Sequence, residues 1–153
     1  MLSPNNLEKV KEIIKEFFEK TTFDVEIDFL TQSDSTLSIY VKTDEPQILI
    51  GEKGQTLVEI QRLLKTILKR QIKDEFYIDL DINNYKTKKI EYLKELARSS
   101  ANDVALTKSE RMLPPMPAYE RRIIHLELAG RPDVTTESIG REPERKVVIR
   151  PYP

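Results

Sequence analysis

The chain is poor in the residues that most often carry catalysis or covalent cross-links. It contains no cysteine and a single histidine, His125. The absence of cysteine excludes disulfides, thiol nucleophiles and thiolate metal sites, and one imidazole leaves few ways to build a catalytic triad. No G-x-S-x-G, H-E-x-x-H or Walker loop is present. We therefore expect a protein that is not an enzyme and that needs no cofactor.

Long apolar runs are also missing. No stretch approaches the roughly 18 residues that a membrane-spanning helix needs. The start of the chain is polar, with Ser3 placed to cap a helix and Pro4 in its first turn, and it does not resemble a targeting signal. These features predict a cytoplasmic protein without membrane insertion.

The net charge of −1 hides an uneven distribution along the 153 residues. Residues 1–84 contain 11 Lys and Arg against 16 Asp and Glu, whereas residues 85–153 contain 14 against 10. The length allows one ordinary domain or two small ones. The charge asymmetry favours two modules, of which the second is better suited to a polyanion.

Hydrophobic periodicity in the first half predicts helices and strands in a definite order. The predicted elements are a helix over 4–20, strands over 23–29 and 37–41 joined near Ser33–Ser35, a short helix ending at Gly51, a helix over 55–72 and a strand over 76–82. The helix pair between the second and third strands is long enough for a crossover, so these strands should be parallel, with the helices on one sheet face.

The other face of this sheet is expected to be acidic, with Asp24, Glu26, Asp28, Asp79 and Asp81. An acidic face repels phosphate, so nucleic acid bound in this half should use the helical side. Asp79 and Asp81 share a strand face and could in principle hold a divalent ion, but a third ligand is lacking. We predict no metal site.

Two of the four glycines, Gly51 and Gly54, lie three residues apart where an apolar turn breaks into a helix. Glycine lets the backbone turn sharply or approach a ligand closely, and the start of the following helix is a natural phosphate site. Lys53 adds a cation in the loop, and cations recur along the helix at Arg62, Lys65, Lys69 and Lys73. A solvated helix face explains this stripe equally well.

Together, the element order and Ile50-Gly51-Glu52-Lys53-Gly54 resemble a KH domain of the second, prokaryotic topology. In that family the G-x-x-G loop clamps the backbone of about four single-stranded nucleotides beside an apolar groove. The resemblance implies RNA-binding residues in the loop and the helix after it: Gly51, Glu52, Lys53, Gly54, Gln55, Arg62 and Lys65.

The second half is predicted to begin with a helix that ends near Thr107. A proline-rich extended segment follows at 111–117, then a helix over 118–128 and two strands over 134–138 and 146–149. Arg121 and His125 share a face of the second helix. They could be a surface cation and a packing residue.

Arg-x-x-x-His after a proline-rich segment, followed by Thr-Thr-Glu-Ser, resembles the R-three-H domain, a family that binds single-stranded nucleic acid. The family's named Arg and His fall on Arg121 and His125. Arg122, Arg145 and Lys146 are further candidate phosphate contacts by charge.

The succession of these two domains is similar to the Jag family of bacteria, also called SpoIIIJ-associated or KhpB/EloR, over essentially the whole chain. The resemblance implies an α+β fold of two small domains, a type II KH domain at 1–83 and an R-three-H domain at 84–153. It also implies binding of single-stranded RNA, with single-stranded DNA as a variant, and regulation after transcription or of cell elongation and division. Partners would be a small KH-domain protein or a second copy. The alternative is a protein-assembly or dimerisation module with little affinity for RNA.

Overall fold

The mixed helix and strand character expected from the sequence is confirmed in the computed structural model, which describes residues 1–31 and 35–153. The predicted turn residues Ser33 and Asp34 lie outside the described residues. The chain divides into two units, Met1–Lys86 and Thr87–Pro153. The sequence had placed the boundary three residues earlier, between residues 83 and 84.

The first unit is a three-stranded sheet with helices on one face. Its elements are α1 (Pro4–Lys20), β1 (Val25–Thr31), β2 (Thr36–Thr43), α2 (Pro46–Ile50), α3 (Gln55–Gln71) and β3 (Tyr77–Ile82). The strand order is β1-β2-β3, with β1 antiparallel and β3 parallel to the central β2. β3 is therefore an edge strand.

The core of the first unit follows from the alternation of residues along strands and the 3.6-residue period of helices. Apolar residues at every second strand position face the helices, which contribute residues three and four apart. The fully buried members include Ile14 and Phe18 of α1, Leu64 and Leu68 of α3, and Ile39 and Leu80 of the sheet. Ser3 caps α1 by accepting a 3.3 Å hydrogen bond from the Asn6 amide, and Pro4 occupies the first turn.

The end of β3 is held to the sheet by side chains. The amide group of Asn83 bonds both to the N–H and to the C=O of Thr43, each at 2.9 Å, and so extends the strand pairing by one residue. Asp81 is buried and accepts hydrogen bonds from the amides of Ile82 and Lys86. Asp81 is thus a structural cap and not, as its strand position suggested, part of an exposed acidic face.

The second unit packs two helices on a three-stranded antiparallel sheet. Its elements are α4 (Tyr85–Thr107, which begins in the first unit), β4 (Arg111–Met112), α5 (Ala118–Leu128), β5 (Val134–Ile139) and β6 (Lys146–Pro151), with strand order β4-β6-β5. A separate core joins Leu93 and Ala97 of α4, Ile124 and Leu128 of α5, and Val147 of β6.

Candidate functional site

Gly51 and Gly54 enclose the turn that joins α2 to α3. A single 3-10 turn, Glu52–Gly54, fills the gap between the helices. Three residues of this connection have positive φ: Gly51 at 73°, Lys53 at 53° and Gly54 at 78°. Gly51 combines this φ with an extended ψ of −178°, a region that is essentially restricted to glycine. The loop geometry therefore depends on glycine at this position.

Both glycines also allow close packing. A Cβ atom on Gly51 would lie 2.1 Å from Oγ1 of Thr56, and one on Gly54 would lie 2.9 Å from Cε1 of Tyr85. These contacts would force the start of α3 or the Tyr85 ring to move. Packing alone therefore accounts for glycine at both positions, without reference to any ligand. The two glycines also let the backbone of the loop lie close to the beginning of α3.

The middle of the loop is polar and exposed. Glu52 and Lys53 both face solvent, so a carboxylate and an ammonium group flank the same turn. Because the residue preceding α3 is Gly54, it has no side chain to cap the first turn. The N–H of Gln55 donates to the carbonyl of Glu52, so an anion or water would be bound by the N–H groups that follow it in the first turn. Gln55 is also exposed, and its amide donates to Oε1 of Glu59 at 3.1 Å.

A groove of about 340 Å³ lies beside the first turns of α3. Apolar lining comes from Leu57 and Val58, and polar lining from Gln61, Arg62, Lys65 and Lys86. Arg62 and Lys65 are exposed, and among the described residues they make no ion pair. The structure therefore brings two of the predicted basic residues to one groove next to the glycine loop. We call the loop and this cavity together the loop groove.

Gln61 and Lys86 close one side of the loop groove, and the sequence had not identified either as a site residue. The N–H of Leu80 donates to Oε1 of Gln61 at 3.0 Å, and Nε2 of Gln61 donates to the carbonyl of Ile78 at 3.4 Å. Lys86 donates to the same Gln61 oxygen and forms an ion pair with Asp79. These contacts join α3 to the edge of β3, a long-range pairing that no sequence periodicity signals.

In the second unit, Arg121 is held inside the fold. Its side chain is only 9% exposed; Nε donates to the carbonyl of Met116 at 3.1 Å, and Nη2 forms an ion pair with Glu142. Glu142 lies in the turn between β5 and β6 and is 57% exposed on its side chain. Glu142 is thus the group nearest to solvent in this pair, and an outside anion would have to displace it to reach the guanidinium.

His125 is satisfied on both ring nitrogens by hydroxyl groups. Nδ1 lies 2.7 Å from Oγ1 of Thr136, and Nε2 lies 2.8 Å from Oγ of Ser138. Thr136 and Ser138 are two residues apart on β5 and so face the same side. Burial, reinforced by the charge of Arg121, lowers the pKa of His125 below its usual 6.5. The imidazole is therefore neutral near pH 7 and ties α5 to β5.

The remaining predicted cations of this unit differ in solvent exposure and in their hydrogen bonds. Arg145 is half-buried and donates to the carbonyl of Gly140 at 2.7 Å. Arg122 is exposed on α5 and Lys146 is half-exposed at the start of β6; in the described part of the chain neither forms an ion pair. The neighbours of the Arg-x-x-x-His motif are therefore more accessible than the motif itself.

The described residues contain no group of three or more His, Asp or Glu that could hold a metal ion. Within the same ranges, every helix is too short or too polar to cross a membrane.

The second unit matches a known family. Residues 91–151 fit the model of the R-three-H domain. This range takes in most of α4 and all of α5, β5 and β6, and so contains Arg121, His125 and their partners.

The chain is also similar to several bacterial proteins named RNA-binding protein KhpB. It is 35% identical over 143 residues to the protein of Clostridium symbiosum, a match that covers 93% of the chain and 64% of the relative. It is 34% identical to the Bacillus subtilis protein, covering 77% of the chain and 58% of the relative. The match to the Lactiplantibacillus plantarum protein, also at 34%, covers 84% of the chain and 39% of the relative. The chain therefore spans less than two thirds of the length of these relatives.

Proposed function

We propose that the chain belongs to the Jag family and binds single-stranded RNA, because it is similar to the KhpB proteins and because residues 91–151 match the R-three-H domain. The relatives are named for RNA binding, which supports the same activity here. Those relatives are not enzymes by name, in keeping with a binding role. The observation that carries the proposal in the structure is the loop groove, an open cleft beside a glycine turn whose exposed cations Arg62 and Lys65 make no ion pair with any described residue.

We propose further that residues 1–83 act as a KH domain of the second topology. The order helix, strand, strand, helix, glycine turn, helix, strand supports this, as does the parallel pairing of β2 with β3. In such a domain the glycine turn receives about four nucleotides of backbone. Lys53 and the N–H groups that follow Gln55 in the first turn of α3 would bind phosphate, and the exposed Val58 offers apolar surface to a base.

The second unit, predicted at 84–153, would supply additional phosphate contacts. Arg122 and Lys146 can act without rearrangement, whereas Arg145 is already bonded to a carbonyl. Arg121 would act only after Glu142 moves, and neutral His125 would shape the site through Thr136 and Ser138. Both modules contribute in this proposal, the basic one supplying more of the long-range attraction.

A salt titration with short labelled single-stranded RNA tests the activity. Affinity should fall as salt rises, with log K dropping by about 0.7 per log unit of salt for each phosphate contact. Lys53→Asp should weaken binding, whereas Lys9→Asp, the same charge change at an exposed position of α1, should do so much less. Absence of association at low salt would overturn the proposal.

A second comparison separates the two modules. Replacing both Glu52 and Lys53 by Asp removes the cation of the glycine loop, while Arg121→Ala and Arg122→Ala alter the second unit. If only the second-unit variants lose RNA, the glycine loop is not a binding site. Competition with a DNA oligonucleotide of the same sequence shows whether the 2′-hydroxyl is read.

The family resemblance also supports a cytoplasmic location, a role in regulation after transcription or in cell elongation and division, and pairing with a small KH-domain protein or a second copy. The assembly module without RNA affinity is the less favoured alternative, because the relatives are named for RNA binding. Sedimentation analysis with and without RNA would distinguish them: self-association that ignores RNA and is lost on surface substitutions in residues 1–83 favours assembly.

A further inference from the structure

A separate cavity of about 460 Å³ lies at the C-terminal end of α3. Its lining comes from the last turns of α3, the connection that follows and the start of β3. We call it the lysine-tyrosine pocket and define it by five of its lining residues: Lys65, Lys69, Lys73, Phe76 and Tyr77. A volume of this size is within the range of pockets that hold small organic ligands, about 300–1,000 Å³, and so is sufficient for a nucleotide.

The charge of the pocket favours an anion. Its three lysines are exposed, and none forms an ion pair within residues 1–31 and 35–153. Two carboxylates also line it, Asp74 and Glu75. Asp74 is hydrogen-bonded to the start of α1. It accepts from the backbone N–H of the capping residue Ser3 at 3.0 Å and from the side-chain amide of Asn6 at 2.8 Å. The lysines therefore outnumber the acids, and one of the acids is bonded elsewhere.

The pocket also offers aromatic surface. Tyr77 is 65% exposed at the start of β3, and the half-buried Phe76 precedes it. Exposed aromatic rings beside lysines are the combination that single-stranded nucleic acids use, because bases stack on the rings while cations neutralise the backbone.

Lys65 lines both the lysine-tyrosine pocket and the cavity of the loop groove. The two cavities therefore follow one side of α3. At about 1.5 Å per residue, Gln55 to Lys69 spans about 21 Å. Four stacked nucleotides at about 3.4 Å each cover about 14 Å. A stacked strand that starts at the glycine turn thus needs more than about four nucleotides to reach Lys69.

We propose that the lysine-tyrosine pocket is a second nucleotide subsite, which takes the continuation of a single RNA strand held in the loop groove. Lys69 and Lys73 contact its phosphates, and Tyr77 stacks on a base. This inference rests on the proposed RNA binding and adds a length requirement to it.

The test is a binding series with unstructured RNA of about four and about eight nucleotides, read by fluorescence anisotropy. The longer RNA should bind more tightly to the wild type. The double variant Lys69→Ala with Lys73→Ala and the single variant Tyr77→Thr should each lower affinity for the longer RNA, by about fivefold or more for the lost stack. Neither should change affinity for the shorter RNA.

Matched controls lie in the same unit. Lys9→Ala with Lys42→Ala removes two exposed lysines outside both cavities, and Tyr40→Thr removes an exposed tyrosine from the acidic face of β2. Both should leave the length dependence intact. Threonine suits a strand, and circular dichroism verifies the fold of each variant.

The two proposals fail in different ways. If the wild type binds neither RNA, RNA binding itself is wrong. If it binds both, but the lysine and tyrosine variants retain the full advantage of the longer RNA, the second subsite is wrong while RNA binding stands.

Discussion

The two sequence motifs of this chain differ in how their functional residues are presented. In the first unit, net acidic, the glycine turn is open: Lys53 and Arg62 are exposed and, among the described residues, make no ion pair. In the second unit, net basic, the motif residues are closed, with Arg121 paired to Glu142 and His125 bonded at both nitrogens. The net charge of a unit therefore does not indicate whether its motif residues are accessible.

The comparison teaches that a charged motif residue can be structural. The second unit pairs Arg98, Arg111, Arg121, Arg131 and Arg150 with its own acids. Arg122 and Lys146, in contrast, make no ion pair with any residue that the structure describes. In the proposed function, the field of this unit attracts a polyanion over a distance and the loop groove holds it.

The strongest expected effect concerns the open motif. Gly51→Ala places a Cβ atom 2.1 Å from Oγ1 of Thr56 in a backbone region that alanine rarely adopts, and should lower the free energy of unfolding by about 3 kcal/mol. Gly130→Ala is the control, because nothing lies within 4 Å of its Cβ position. Urea unfolding measures both. Equal stability of the two variants would contradict the described loop geometry.

The structural role of Arg121 in the closed motif is tested by replacing it and its neighbour Arg122 separately with alanine. Arg121→Ala leaves the Met116 carbonyl and Glu142 without their partner and should cost about 2 kcal/mol of stability. Arg122→Ala should change stability by less than about 0.5 kcal/mol while weakening RNA binding. Thermal unfolding measures the stability of both variants, and RNA titration measures their affinity. If Arg121→Ala is as stable as the wild type, the ion pair and carbonyl bond are not structural.

Opening the closed motif should improve binding modestly. Glu142→Gln removes the carboxylate that competes with phosphate for Arg121, so we expect affinity for RNA to rise by up to about fivefold, the equivalent of about 1 kcal/mol for a partly exposed ion pair. Glu144→Gln makes the same charge change in the same turn without touching Arg121. A similar gain in both variants would indicate general charge reduction and not release of Arg121.

The smallest expected effect is a pH dependence of stability from His125. Its pKa is lowered in the fold, so the unfolded chain binds a proton more readily. Stability from this group is complete above about pH 6.5 and falls as pH drops through the lower folded pKa. Melting temperature between pH 7 and 5 should decline less in His125→Gln than in the wild type. Parallel curves would show that His125 does not titrate differently in the fold.

Local features of this fold could be predicted from the sequence. Ser3 and Pro4 mark the start of α1, alternating apolar residues mark the three strands of the first unit, and Gly51 marks the end of α2, because each signal depends on neighbours within a few residues. The sequence also correctly predicted a parallel β2 and β3, since the connection between them is long enough for a crossover.

Features that depend on distant side chains could not be predicted. Asp81 occupies a strand position that alternation assigns to the exposed face, yet it is buried as a cap for the next helix. Glu142 lies 21 positions from Arg121, and Gln61 reaches β3 across 19 positions to Leu80. Sequence periodicity indicates which face of an element a residue takes, with exceptions such as Asp81, but it does not indicate which distant partner folding will bring to that residue.

The contact of Gln61 with β3 has a consequence for how copies of this protein can meet. An edge strand presents free N–H and C=O groups on which a foreign strand can add. Here the side-chain amide of Gln61 already accepts from the N–H of Leu80 and donates to the C=O of Ile78, the same groups that an added strand would bond. A second molecule could extend this sheet at that point only by displacing Gln61, so intermolecular β-pairing through the middle of β3 is disfavoured.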